Sequence, residues 1–157
     1  MKQPGLHYTR DDGAAWKPAR SAGLEGEPRA LAVHPDDAAI VAVASSSGIF
    51  LSLDSGDRFD RLAGGAEGLS VHFDLDGKNL WYGTFDGRAR LSRAQLGGGT
   101  SAPVDLPPLE RDAVAYIAQN PAARSEYAIA TFARSVYLST DDARTWKRIA
   151  EHGRAGN

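Results

Sequence analysis

Residues 138–146 read LSTDDARTW, with hydroxyls, two carboxylates, an arginine and a tryptophan inside nine positions. Alone, such a cluster would suit an active site. The rest of the chain argues otherwise, because the arrangement recurs. HYTRDDGAAW (His7 to Trp16), FLSLDSGDRF (Phe50 to Phe59) and YLSTDDARTW (Tyr137 to Trp146) all fit hydroxyl-x-Asp-x-Gly-x-x-aromatic, with Ala143 in the glycine place of the last. Asp11 and Asp54 lie 43 residues apart, and Asp141 follows Asp54 by 87, about two periods. A fourth copy is expected between them. RLSRAQL (Arg90 to Leu96) sits there, keeping Leu91 and Ser92 but carrying Ala94 for the aspartate. Self-similarity at this period signals a repeat architecture.

The segments upstream of each box repeat as well. RALAVHPDDAAIVAVASSSGIFLSLD aligns with GLSVHFDLDGKNLWYGTFDGRARLSRA and AYIAQNPAARSEYAIATFARSVYLSTD. Each reads apolar run, turn, apolar run, short turn, alternating run. His34-Pro35, His72-Phe73 and Asn120-Pro121 close the first runs. The runs are short, rich in Val, Ile, Tyr and Phe, and bounded by turn residues, which marks strands. No window carries a helical period of ten or more residues. The expected fold is therefore all-β: a β-propeller of four-stranded antiparallel blades. About three and a half blades fit into one partial domain over 1–157. The blades fall at 28–63, 68–106 and 112–151, and residues 5–20 supply only the outer half of another.

The boxes resemble Asp-box (BNR) repeats, found in sialidase-like, sortilin-like and photosystem-assembly-factor-like propellers. The resemblance covers nearly the whole chain and is specific for architecture, while enzyme membership is not implied. Physically, the box sits on the hairpin between a blade's third and fourth strands, where several backbone N–H groups lack ladder partners. Asp11, Asp54 and Asp141 are expected to accept from N–H groups just ahead of them, as in an Asx-turn. Thr9, Ser52 and Ser139 add a hydroxyl, and Gly13 and Gly56 supply positive φ. At Ala143 either a Cβ is forced into that conformation, at about 1 kcal/mol, or the turn differs. Trp16, Phe59 and Trp146 are expected to fold back as plugs over the outer strands. A turn staple must be copied once per blade, whereas a catalytic group need not be. The boxes are therefore read as structural, with no catalytic residue and no metal site among them.

Composition narrows the function classes. Net charge is −2, so nothing points to nucleic acid. The absence of cysteine excludes disulfides and thiolate chemistry. No 18-residue apolar run exists for a membrane span, and MKQPGLHYT lacks a signal core. Cytoplasm and a mature exported segment remain equally open. No cofactor is expected.

Candidate ligand contacts lie on the face opposite the boxes, where second-to-third turns and blade linkers gather. Glu25, Glu27, Glu67, Asp86, Glu110, Arg111, Asp112 and Arg134 belong there. Arg88 and Arg90, in the blade whose box has decayed, add an anion-binding candidate. The leading function is a non-catalytic module that binds or scaffolds a protein or glycan. The alternative is a sialidase-like glycoside hydrolase, completed by oligomerisation or by further chain, with Asp86 and Glu110 or Asp112 as paired carboxylates. Three and a half blades leave strand edges uncovered. Self-association, with two chains closing a seven-bladed ring, or the remainder of a longer propeller would cover them.

Overall fold

The computed structural model describes residues 5–155. Strands β1 (His7–Tyr8) and β2 (Lys17–Pro18) form an isolated hairpin. Three four-stranded meanders follow. The first comprises β3 (Pro28–Val33), β4 (Val41–Ser45), β5 (Gly48–Ser52) and β6 (Asp60–Ala63). The second comprises β7 (Glu67–Phe73), β8 (Asn79–Phe85), β9 (Ala89–Gln95) and β10 (Ser101–Val104). The third comprises β11 (Val114–Gln119), β12 (Tyr127–Thr131), β13 (Val136–Ser139) and β14 (Lys147–Glu151). A short β15 (Arg154–Ala155) extends the third sheet beyond β14. Within each sheet, strands consecutive in sequence pair antiparallel. The chain is a partial β-propeller of three blades and the outer half of another.

Sheet-on-sheet burial holds the blades together. One cluster joins blades 1 and 2, with Ala42, Ala44 and Ile49 against Phe73, Leu80 and Tyr82. A second joins blades 2 and 3, with Trp81 and Leu91 against Val114, Tyr127 and Ile129. The third seats Val43, Phe50 and Phe59 against Leu6 of the half-blade and Leu24 of the linker that follows it. Strands β3 and β11 both pack on β7, so the first strand of each blade lies innermost. A blade with neighbours on both sides is buried on both faces, as in β4 and β8. Strand β12 instead alternates buried and half-buried positions, because one face of blade 3 has no neighbour.

The ladders correct the repeat alignment in blade 2. Val33 pairs with Val41, Phe73 with Leu80 and Gln119 with Tyr127, each as the last rung before its turn. The equivalent turn residues are therefore His34, Asp74 and Asn120, and His72 lies inside β7. Further on, Ser52 pairs with Val41, Ala94 with Leu80 and Ser139 with Tyr127. Ala94 thus replaces the box hydroxyl rather than its aspartate, whose place falls to Leu96. The slip arises in the β8–β9 hairpin. Its innermost rung, Phe85↔Ala89, lies one beyond the rung equivalent to Ser45↔Gly48 and encloses three residues instead of two. A constant period could not show an insertion there that a shorter first turn partly offsets.

Candidate functional site

The boxes share one hydrogen-bond pattern, in which the hydroxyl does as much as the carboxylate. In blade 1, Ser52 Oγ donates to Asp54 Oδ1 (2.8 Å) and accepts from the Gly56 N–H (2.9 Å); the Arg58 N–H donates to Asp54 Oδ1 (2.8 Å). In blade 3, Ser139 donates to Asp141 (2.8 Å), Ala143 N–H to Ser139 (3.0 Å) and Thr145 N–H to Asp141 (2.9 Å). In the half-blade, Thr9, Asp11, Gly13 and Ala15 repeat the scheme. Each carboxylate is tied to its own hairpin through Oδ1, and Asp141 through Oδ2 as well. Hydrogen bonds hold Asp11 and Asp54 below the usual carboxylate range, Asp11 chiefly through Thr9 and Asp54 chiefly through the Arg58 N–H. Asp141 falls to about 2, first because the Thr145 hydroxyl donates to it and then through the Thr145 N–H and Ser139. A carboxylate held ionised in this way is a turn staple and a poor proton donor.

Ala143 forms the same turn as the glycines. Its φ is 61°, against 88° at Gly13 and 87° at Gly56, and its Cβ is buried between blades 2 and 3. The preceding positions, Asp12, Ser55 and Asp142, are left-handed as well, which the motif did not suggest.

The plug expectation fails at one of three aromatics. Phe59 is 2% exposed and its N–H donates to Ala22 O in the preceding linker. Trp146 is half-buried and its Nε1–H donates to Asp105 O, again in the preceding linker. Trp16 is 62% exposed. Each plug seats on the blade before its own, and no described residue precedes the half-blade to receive Trp16.

On the opposite face, Asp86 lines an open cavity of about 450 Å3 with Glu25, Glu67, Arg61, Ser46 and Ser47. All three carboxylates there are ion-paired. Glu25 meets Arg61 at 2.5 Å, Glu67 meets Arg29 at 2.8 Å and Asp86 meets Arg90 at 3.0 Å. The Arg29 hydrogen bond and charge hold Glu67 below the usual range. Glu110 and Asp112 do not line this cavity. Asp112 ties its linker to the β12–β13 hairpin, accepting from the N–H groups of Ala113 (2.8 Å) and Ala133 (2.9 Å). Glu110 is exposed. Arg88 and Arg134 sit in the β8–β9 and β12–β13 hairpins and Arg111 in the linker before β11. Among the described residues these three arginines make no ion pair within 4.0 Å. No group of three metal-ligating side chains occurs among the described residues.

The sequence reading missed one polar centre, Asp74. This carboxylate is 5% exposed and lies between blades 2 and 3. Oδ1 accepts from Trp81 Nε1–H (2.5 Å) and the Tyr127 hydroxyl (2.9 Å), and Oδ2 accepts from Asn79 Nδ2 (2.8 Å). Gln119 extends the network, donating to the Tyr127 oxygen (2.9 Å) and accepting from the Leu75 N–H (2.7 Å). Burial first, then the Asp74 charge, pushes the Tyr127 hydroxyl well above its ordinary range. His34, the equivalent residue one blade earlier, pairs its Nε2 with Gly77 O (2.9 Å) and accepts at Nδ1 from Asp36 and Asp37 N–H (both 3.1 Å). Both residues join the first turn of one blade to the next blade. His34 uses every ring nitrogen that a metal would need.

The class this architecture defines is the β-propeller. No protein-family model matches the chain, and no curated protein matches it. Solved structures do. An ancestral GH74 enzyme superposes with a TM-score of 0.75 at 15% identity, covering 96% of this chain and 22% of its own. The GH74 xyloglucanase from Xanthomonas campestris gives 0.71 at 15% identity, covering 94% and 27%. YCF48 from Cyanidioschyzon merolae gives 0.68 at 18% identity, covering 87% and 41%. The chain thus spans less than half the length of each.

Proposed function

We propose that this chain is a non-catalytic propeller segment that binds or scaffolds a protein or glycan partner through the face opposite the boxes. The observation that carries this reading is the pairing of carboxylates in the cavity around Asp86. A glycosidase needs one carboxylic acid kept protonated and a second carboxylate at a set distance. Here each of the three carboxylates in the cavity is engaged by an arginine, and Glu67 is held below the usual carboxylate range by Arg29. Arg88, Arg111 and Arg134 offer planar donors suited to carboxylates and sugar hydroxyls. The similar structures do not choose between the classes, since GH74 enzymes and a YCF48 structure with a bound D1 peptide share the fold.

The test is a panel of chromogenic glycosides together with glycan and peptide arrays. No turnover is expected, and array binding should be lost in Arg88→Ala/Arg111→Ala/Arg134→Ala. Turnover abolished by Asp86→Asn or Glu110→Gln would replace this reading with the hydrolase. Light scattering addresses the dimeric seven-bladed ring. A single-chain mass is expected, because each copy would bring the same outer strand pair.

A further inference from the structure

We propose that the groove between the half-blade and blade 1 is a strand-acceptor site for a β-hairpin, the inner strand pair of a further blade. The groove measures about 690 Å3 and is lined by Gly5, Leu6, Ala19, Leu24 and Pro28, among others. Pro28, at the start of β3, connects it to the inner strand of blade 1. Leu31 pairs with Val43, which pairs with Phe50, so these side chains share one sheet face. Val43 and Phe50 are buried by the half-blade, but Leu31 and Val33 are 57% and 50% exposed.

The next blade shows what covers these positions. Val71 and Phe73 are their equivalents in β7, and Phe73 is 5% exposed. Both pack beneath Ala30, Ala32, Ala42 and Ala44, the small side chains on one face of the β3–β4 hairpin. An occupant of the groove must supply the same thing: two antiparallel strands with small residues at alternate positions. It must also pair with β1. Ala19 N–H donates to Leu6 O, which turns Leu6 and Tyr8 toward β2 and leaves the His7 N–H and C=O on the open edge. An unpaired edge beside exposed apolar side chains is the arrangement that strand addition uses.

A second copy of the chain does not fit, because β1 and β2 are outer strands in both copies. The chain's coverage of less than half of each similar structure fits an occupant built from further blades. This site and the cavity around Asp86 are lined by different residues, so failure of either test leaves the other standing.

The probe is a synthetic peptide with the sequence of residues 27–46, this chain's own inner hairpin, flanked by solubilising lysines. Saturable binding is expected, with amide exchange at His7 slowed at least about tenfold. Leu31→Asp should abolish binding. So should His7→Pro, which removes the edge donor and spares the β1–β2 bonds. Absence of binding up to about 1 mM, undiminished binding to both variants, or His7 protection already present in a dimer before peptide is added would each overturn the proposal.

Discussion

Ala143 shows how far one position can depart from a motif without losing its structure. A Cβ in the left-handed region costs about 1 kcal/mol, while a buried methyl returns about 0.8 kcal/mol. Ala143→Gly is therefore expected to be close to neutral in urea unfolding. Gly56→Ala is the informative counterpart, since a Cβ there meets only the Ala19 Cβ at 3.7 Å and the Phe59 ring at 3.9 Å. It should cost about 1 kcal/mol, the conformational penalty alone. Asp141 carries a pH signature. Its folded pKa, about 2, lies below the ordinary 3.8, so the unfolded chain binds the proton more readily. Its contribution is complete above the ordinary value and is lost as pH falls from about 4 toward 2. The stability difference between wild type and Asp141→Asn should shrink over that window in acid titrations followed by circular dichroism. A constant difference would mean that the carboxylate's charge does not matter.

At the scale of elements, the turns hold adjoining blades in register. Asp74 is a buried carboxylate with three side-chain donors and no basic side chain within salt-bridge distance among the described residues. Hydrogen bonds to a charged group are worth about 1.5–3 kcal/mol. Tyr127→Phe should cost about that much in chemical denaturation, and Tyr127→Phe in an Asp74→Leu background markedly less, since the hydroxyl then has no charge to serve. The strands themselves were legible, because short Val/Ile/Tyr runs between turn residues leave little choice of secondary structure. The Asp74 network was not. It depends on blade 3 laying Tyr127 and Gln119 against a turn 44 or more residues earlier, and nothing local announces that. The β8–β9 insertion hid it further by drawing His72 into the turn position.

For the whole molecule, the two ends behave differently from the middle. Phe59→Ala should cost about 3–5 kcal/mol, as deletion of a buried aromatic does. Trp16→Ala, at the equivalent place in the half-blade, should change thermal stability by less than about 0.5 kcal/mol, as an exposed substitution does. The trailing face of blade 3 is open in the same sense, with Tyr116 75% exposed at the position that Ala30 holds in blade 1 and Ser70 in blade 2.

The repeated hydroxyl, aspartate and glycine of LSTDDARTW and its siblings determined the hairpin, and the period of the repeat determined the blade. Both rest on contacts within a few residues, so sequence alone carries them. Which aromatics become plugs and which turn residue joins two blades were decided only in the tertiary structure. Each depends on the neighbouring sheet, and a side chain is buried, paired or left open according to whether that sheet is there.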